Sequence, residues 1–312
     1  MAERTIALVG GGLIGSSWAV VFARAGHTVR VYEAVPEQRT ALQDRVRRLL
    51  LDLEAEGLVE NAAAAAERVV LTESLKDAVQ GAGHVQENGP ERLEVKQPLL
   101  SEIDAAAPAE ATIASSTSAL LPSALSDHLT GRRRFLVAHP VNPPHLIPLV
   151  ELCPAPWTDA AAVERVRALM AEVGQSPILV RREIDGFILN RLQGALLHEA
   201  FRLVEQGYAR VEDVDAAVAD GLGLRWSFMG PFETIDLNAP QGLADYGRRY
   251  GGMYAGMFGV EPWSGELLAK AEEQRRAMLP REALVERQSW RDRRLLRLVQ
   301  HKKAMDKSDK EK

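Results

Sequence analysis

Hydrophobic and polar positions along the chain follow two rhythms. Short apolar runs rich in Val, Ile and Leu lie at Thr5 to Val9, Thr28 to Tyr32, Val69 to Thr72, His84 to Gln86, Thr112 to Ser115 and Phe135 to His139. Between them lie segments long enough for helices, with apolar positions at helical spacing. Runs of this kind alternating with helices predict parallel strands joined by crossover helices, an α/β doubly wound sheet. Leu149 to Leu152 and Ile178 to Arg181 flank a predicted helix from Asp159 to Val173 and extend the same sheet. From Pro36 to Ala66, Arg, Asp and Glu alternate with Leu and Val at helical spacing, which predicts one or two exposed amphipathic helices. After Arg182 the strand-like runs stop, and "DGFILNRLQGALLHEAFRLVEQG" opens an all-helical second domain. The expected division is therefore 1–182 and 183–301, with a disordered tail over 302–312, "KKAMDKSDKEK". Phe187, Leu192, Leu196 and Leu203 form an apolar stripe that a partner helix or a second subunit should cover.

Composition narrows the class. The chain has 312 residues, enough for two domains, with 46% hydrophobic and 26% charged residues and a net charge of −5. No overall basic bias points to nucleic acid. The single cysteine, Cys153, excludes an internal disulfide framework and a multi-cysteine metal site; no metal is expected, and a reducing compartment fits. No stretch approaches the roughly 20 apolar residues of a membrane span, so no membrane partner is expected. Met1 to Arg4 lead straight into the first strand-like run, and the expected location is the cytoplasm.

Candidate chemistry begins in "IALVGGGLIGSSWAVVFARAGHTVRVYE". Gly10, Gly12 and Gly15 satisfy G-x-G-x-x-G directly after a strand and at the start of a helix. Gly10 allows the tight turn, Gly12 lets the backbone approach a pyrophosphate, and Gly15 lets helix and strand pack closely. Leu13 and Ile14 supply backbone N–H groups at the helix N-terminus. Glu33, 18 residues after Gly15, ends the second strand, where a carboxylate accepts from the ribose hydroxyls and repels a 2′-phosphate. NAD is therefore predicted over NADP, on a Rossmann-type domain. The alternative is a glycine-rich turn with no ligand and a surface glutamate.

Beyond that turn, "SSTSAL", "AHPVNPPHLIPLVEL" and "DGFILNRLQGALLHEA" resemble the 3-hydroxyacyl-CoA dehydrogenase superfamily. Within it, "AHPVNPP", "IPLVEL", "GPFETIDLNA" and "RQSWRDRRLLRL" are similar to the lambda-crystallin and L-gulonate 3-dehydrogenase branch. The resemblance implies a Rossmann-type domain followed by a helical domain that dimerises, with the active site in the cleft between them. It places His139 on the catalytic histidine and Glu151, twelve residues on, on its carboxylate partner. Ser118 and Asn190 fall on residues that touch the reacting oxygen. Glu91, Lys96 and Asn142 fall on further cofactor contacts.

These residue types suit alcohol oxidation. An imidazole with an unperturbed pKa near 6.5 can accept and return the hydroxyl proton, and a carboxylate on its other nitrogen fixes the tautomer. Ser118 and Asn190 can donate to the developing oxyanion. Each has a plainer alternative. His139 and Glu151 can be ordinary strand residues, Ser118 the N-cap of a helix beginning near Pro122, and Asn190 a helix cap or bridge. His145 lies in a Pro-rich loop and reads as structural; His27 and His84 have no evident partner.

Arg225, in "GLGLRWSFMGPFE", marks a departure from the acyl-CoA branch, where the matching segment is small and apolar. A guanidinium can hold a free carboxylate by two parallel hydrogen bonds; the alternative is an ion pair with Glu233 or Asp236. Trp226 and Phe228 would line the same cleft or a core. The expected activity is NAD-dependent oxidation of the 3-hydroxyl of a small, L-gulonate-like carboxylate substrate to the 3-oxo acid by a homodimer. The alternatives are a short-chain 3-hydroxyacyl-CoA dehydrogenase, with Arg39, Arg45, Arg47 and Arg48 near the CoA, a carnitine dehydrogenase, whose substrate would need an aromatic or acidic cage, and a crystallin-like structural protein.

Overall fold

The computed structural model describes residues 4–310. The chain divides into two compact units between Leu196 and Leu197. In the first, eight strands form one sheet: β1 Thr5–Val9, β2 Thr28–Tyr32, β3 Val69–Thr72, β4 His84–Glu87, β5 Thr112–Ser115, β6 Phe135–Pro140, β7 Leu149–Pro154 and β8 Ser176–Leu179. Their order is β3-β2-β1-β4-β5-β6-β7-β8, so the chain reverses direction of travel across the sheet after β3, at the seam between β1 and β4. Open α/β sheets bind ligands at the carboxyl ends of strands flanking such a seam.

Both faces of the sheet are covered, which is why its strands read as continuous apolar runs. Alternation along β1 sends Ile6 and Leu8 to one core, with Trp18, Phe22 and Leu42, and Ala7 and Val9 to the other, with Leu100, Ile103 and Phe135. The helices that cover the sheet are α1 Leu13–Arg24, α2 Pro36–Ala55, α3 Ala62–Glu67, α4 Leu75–Val79, α5 Leu93–Ala106, α6 Pro122–Ser126 and α7 Ala160–Glu172. The amphipathic pair expected between Pro36 and Ala66 is α2 and α3. Proline at the first helical position opens α2, and Asn61 caps α3 by accepting from the Ala64 N–H at 2.8 Å.

The sheet is not all parallel. β7 runs antiparallel to β6, and β8 is parallel to β7. The connection of 141–148 holds no helix and is too short for a parallel crossover, which takes a dozen or more residues. A hairpin-like return is the only route that length allows.

The helix α8, Leu189–Glu205, contains the point at which the compact units divide. The strand-to-helix change at Arg182 therefore precedes that point, because residues 183–196 are bound into the first unit. Glu183 accepts from the Ser123 N–H at 3.0 Å. Phe187, expected on an apolar helix stripe, is instead fully buried in the sheet core with Phe135 and Val137. Of the rest of the stripe, Leu192 is 60% exposed, Leu196 38%, and Leu203 half-buried.

The second unit is all helix: α9 Val211–Ala216, a π-helical stretch Ala217–Leu222, α10 Gly223–Trp226, α11 Pro231–Asp236, α12 Leu243–Phe258, α13 Gly265–Met278 and α14 Leu284–Lys310. Its apolar cores are small, Met229 with Leu237 and Leu284, and Leu243 with Ala244 and Leu268. Charge fills the space between: the buried Asp236 carboxylate accepts from the Leu243 N–H at 2.9 Å and pairs with Arg275 and Arg276. The disordered tail expected from 302 is α-helical to Lys310, which corrects that expectation; Glu311 and Lys312 lie outside the described residues. Lys, Ala and Met favour helix, and Lys302 is tied to Asp220. Among the described residues no helix is long and apolar enough to cross a membrane.

Candidate active site

The register of β6 and β7 sets His139 directly opposite Glu151. Side chains opposite one another on an antiparallel pair share a face at contact distance, and here His139 Nδ1 lies 2.8 Å from Glu151 Oε2. The spacing of twelve residues in sequence is thus a hairpin register. Glu151 is fully buried. Its other oxygen, Oε1, accepts from the Ile188 and Leu189 N–H groups at 2.8 and 2.9 Å, at the N-terminus of α8. That end of a helix offers unspent donors and a positive partial charge. Burial by itself would raise the Glu151 pKa, but the hydrogen bond from His139 and those from Leu189 and Ile188 hold it below the ordinary carboxylate value. The carboxylate is ionised at neutral pH, which fixes the proton of a neutral His139 on Nδ1. Nε2 has no hydrogen-bond partner among the described residues and is the basic nitrogen.

Phe187 supports this pair from behind. Its ring centroid lies 5.5 Å from that of His139, and its φ of 50° is left-handed, rare for a bulky residue. The backbone strain is held by full burial of the ring. The turn it makes delivers the Ile188 and Leu189 amides to Glu151.

The next residue, Asn190, donates from Nδ2 to the Ser118 carbonyl at 2.9 Å. Ser118 is not a helix cap: the N-cap of α6 is Leu121. The Ser118 hydroxyl makes no hydrogen bond to any described residue. Its N–H and that of Ala119 donate to Glu91 Oε1 at 2.8 and 3.0 Å. Two hydrogen-bonded sets, His139 with Glu151 and the Ile188 and Leu189 amides, and Asn190 with Ser118 and Glu91, thus adjoin along the backbone at Leu189–Asn190 within the first unit. Asn142 lies exposed on the loop leaving β6. Lys96 is turned inward, 1% exposed, with its ammonium on Glu87 at 2.8 and 2.9 Å.

At the glycine turn, a Cβ on Gly15 would lie 1.9 Å from the Gly10 carbonyl oxygen, and one on Gly10, whose φ is +101°, 2.8 Å from the Asn88 backbone. Only glycine fits either position. Gly12 faces open space apart from Gln38 at 3.7 Å, so the backbone can be approached there, and no side chain caps the first N–H groups of α1, where Leu13 and Ile14 lie. Glu33 is buried against the turn: Oε2 accepts from the Gly11 N–H at 2.6 Å and Oε1 from the Val35 N–H at 2.9 Å. Arg39 donates to the Glu33 carbonyl, and Arg45 to the Gly11 carbonyl and the Ser16 hydroxyl. A free helix N-terminus, an approachable Gly12 and a carboxylate fixed beside them fit a dinucleotide.

Several participants carried a signal too general to single them out. Glu87, Asn88 and Ser116 sit where β4 and β5 end, and polar residues closing buried central strands are the cue. Ser116 Oγ receives Trp18 Nε1 at 3.1 Å and Gln86 Nε2 at 2.7 Å and donates to Asn88 Oδ1 at 2.7 Å. His84, which lacked an evident partner in the sequence, bonds Thr112 Oγ1 at 2.8 Å and Gln86 Oε1 at 3.1 Å, and burial lowers its pKa to about 4. His145, at 3.1 Å from Ser17 Oγ, ties the Pro-rich loop to α1.

In the second unit Arg225 is half-buried on α10, just after the π-helical stretch. Glu233 and Asp236 pair with Arg275, Arg276 and Arg287 instead, and among the described residues no carboxylate lies within ion-pairing distance of Arg225. Phe228 packs edge-on against Trp290 in a core, while Trp226 is 40% exposed.

A switch-point sheet with a glycine turn, and a histidine and carboxylate at its carboxyl edge, define a dinucleotide-dependent oxidoreductase fold. The chain belongs to the 3-hydroxyacyl-CoA dehydrogenase family, matching its NAD binding domain over residues 5–184 and its C-terminal domain over residues 186–277. NAD is the cofactor. Lambda-crystallin homolog of Bos taurus is 45% identical over 306 residues, 95% of each chain. L-carnitine dehydrogenase of a Pseudomonas species is 39% identical over 249 residues, 80% of this chain and 77% of the relative. Among solved structures, 5-formyl-3-hydroxy-2-methylpyridine 4-carboxylic acid 5-dehydrogenase, described as an NAD+ dependent dismutase, is similar with a TM-score of 0.75 and 30% identity, covering 88% of this chain and 87% of the other.

The Glu33 carboxylate is fixed beside the glycine turn. Glu33→Ala is expected to raise the affinity for NADPH relative to NADH by about tenfold in fluorescence titrations; an unchanged ratio would show that the carboxylate does not select the coenzyme.

Proposed function

We propose that the protein oxidises the 3-hydroxyl of a small free hydroxy acid, L-gulonate-like, to the 3-oxo acid. The observation that carries this reading is the His139–Glu151 pair, with the basic Nε2 left free. NAD, when bound, supplies the hydride acceptor, held by the Gly10–Gly15 turn and Glu33. His139 Nε2 takes the hydroxyl proton, and the imidazolium that forms is stabilised by the Glu151 carboxylate. The Ser118 hydroxyl and the Asn190 amide donate to the developing carbonyl oxygen.

Arg225 is the residue proposed to hold the substrate carboxylate. A half-buried guanidinium without a carboxylate partner among the described residues supports that role. Carnitine and the pyridine carboxylic acid in two relatives' names are also free acids. The thioester alternative is weakened because two of the arginines suggested for CoA, Arg39 and Arg45, brace the glycine turn. The apolar stripe on α8, with Leu192 60% and Leu196 38% exposed, is proposed to meet a second copy of the chain.

Because Glu151 Oε1 is committed to two N–H groups, Glu151→Gln would turn its NH2 toward His139. Nδ1 must then accept, the proton moves to Nε2, and the base is lost. The expected fall in kcat is about 10³-fold or more; a loss below tenfold rejects His139 as base. For Arg225→Met, kcat/KM on the acid substrate is expected to drop about 100-fold, and an unchanged value removes the carboxylate anchor. NADH production screened over L-gulonate, 3-hydroxybutyrate, carnitine and 3-hydroxybutyryl-CoA separates the readings: turnover of the thioester alone supports the acyl-CoA alternative, and none with any substrate the crystallin-like one. Leu192→Asp is expected to sediment as monomer where the native chain sediments as dimer; a native monomer would refute the homodimer.

A further inference from the structure

The helix α14 carries Arg287, Trp290, Arg291 and Arg294 at i, i+3, i+4 and i+7, one face of a helix. A face so rich in arginine is ordinarily a solvated one, yet this one is directed at the segment joining α10 to α11. Two guanidiniums lie against the Trp290 ring: the Arg287 guanidinium carbon is 3.4 Å from its centroid and that of Arg294 5.8 Å. The same ring meets Phe228 edge-on, with centroids 5.5 Å apart, and Arg294 also lies 5.7 Å from the Phe228 ring. Arg287 is fixed in turn by Glu233 of α11 at 2.8 Å, and Gln288 Nε2 donates to the Leu237 carbonyl at 2.9 Å. The Phe228 and Met229 N–H groups both donate to the Arg225 carbonyl, at 3.3 and 3.0 Å, while the Met229 side chain packs with Leu284 at the start of α14. Through Phe228 and Met229, α14 therefore grips the end of α10.

We propose that Trp290 and Arg287 are positioning residues for Arg225: the stack holds Phe228, and Phe228 with Met229 holds the backbone from which the Arg225 side chain projects. The claim rests on the reading of Arg225 as the carboxylate anchor given above. Local structure explains why a brace is needed. α10 has only four residues, Gly223–Trp226, and follows a π-helical stretch; one turn of helix does not hold its own geometry. A guanidinium that must meet a carboxylate by two parallel hydrogen bonds tolerates little tilt. A planar guanidinium laid on a planar indole fixes the segment over a broad contact, which the compact, strongly hydrated ammonium of lysine does not supply. Either cation could pair with Glu233, so the pairing alone does not explain arginine at 287.

The test uses the full chain carrying Trp290→Leu, with Trp290→Phe, which keeps a ring against Phe228, and Arg287→Lys, which keeps the charge for Glu233 and guards against a fold lost with the indole. Amide hydrogen exchange across 225–229 is expected to quicken about tenfold in Trp290→Leu and about threefold in Arg287→Lys. With NAD and L-gulonate, or the acid turned over best in the screen above, KM rises about tenfold in Trp290→Leu. Its kcat and NADH affinity stay within about twofold, because an anchor is lost from ground and transition states alike. Trp290→Phe brings KM back to within about threefold of the native value. In the Arg225→Met chain, Trp290→Leu should add less than about twofold, since residues acting through one group are not additive. A further loss of about tenfold in that background overturns the proposal. So does unchanged exchange across 225–229, or a fall of kcat and NADH affinity alongside the rise in KM in Arg287→Lys, which would make the stack a support of the whole fold. Arg225→Met alone tests the underlying reading: if it leaves kcat/KM intact the anchor falls, while the exchange result still decides whether the stack orders α10.

Discussion

The pairing of β6 with β7 is the constraint on which the site depends. His139 and Glu151 meet because they occupy opposite positions in one antiparallel ladder. A slip of one residue would move one of them to the other face of the sheet. The register is held from both sides. Val137 faces the core that contains Phe135 and Phe187, while Ala138 and Leu152 face the core that contains Trp18. A packing requirement thereby becomes a chemical one: the arrangement that buries these apolar side chains also brings an imidazole 2.8 Å from a carboxylate.

The carboxylate in turn needs the next element. With Glu151 fully buried, an oxygen without donors would be expensive. The first amides of α8 have no partner inside their own helix, so each deficit satisfies the other. This explains why residues just past Arg182 belong with the sheet although their sequence is helical: the start of α8 is bound by its free N–H groups, and the strained turn at Phe187 aims them. Asn190 then follows one residue later and reaches Ser118.

Much of this was legible beforehand. The strands announced themselves because a sheet covered on both faces leaves apolar runs, and the glycine turn because no other residue fits Gly10 or Gly15. Strand direction was less visible, since a buried run reads the same in either sense, although the short connection of 141–148 carried the answer. Phe187 was misplaced because a run of apolar residues does not show where a helix begins, and α8 starts two residues later, at Leu189. The direction of Lys96 was hidden for a related reason: a lysine in a helical pattern reads as exposed, and only the approach of β4 to α5 shows Glu87 waiting for it. The tail from 302 read as disordered because it is low in apolar residues, but good helix formers extending an established helix need few of them.

On the proposed reading, the residues divide by task. The proton-transfer pair, its supporting amides and the oxygen-side donors all lie in the first unit, where His139 Nε2 and the Ser118 hydroxyl, the groups proposed to meet the substrate, lack a partner among the described residues. The residue proposed to choose the substrate, Arg225, lies in the second unit, behind a π-helical stretch; such stretches are rare and recur at functional sites. Changing one member of the first network strands its neighbours, so it tolerates little variation. A guanidinium with no internal carboxylate to satisfy can be replaced without leaving a buried charge behind. A fold built this way can keep one hydroxyl-oxidising centre and alter what is held beside it, in line with the thioester, carnitine and pyridine-acid names of the family and of proteins similar to this chain.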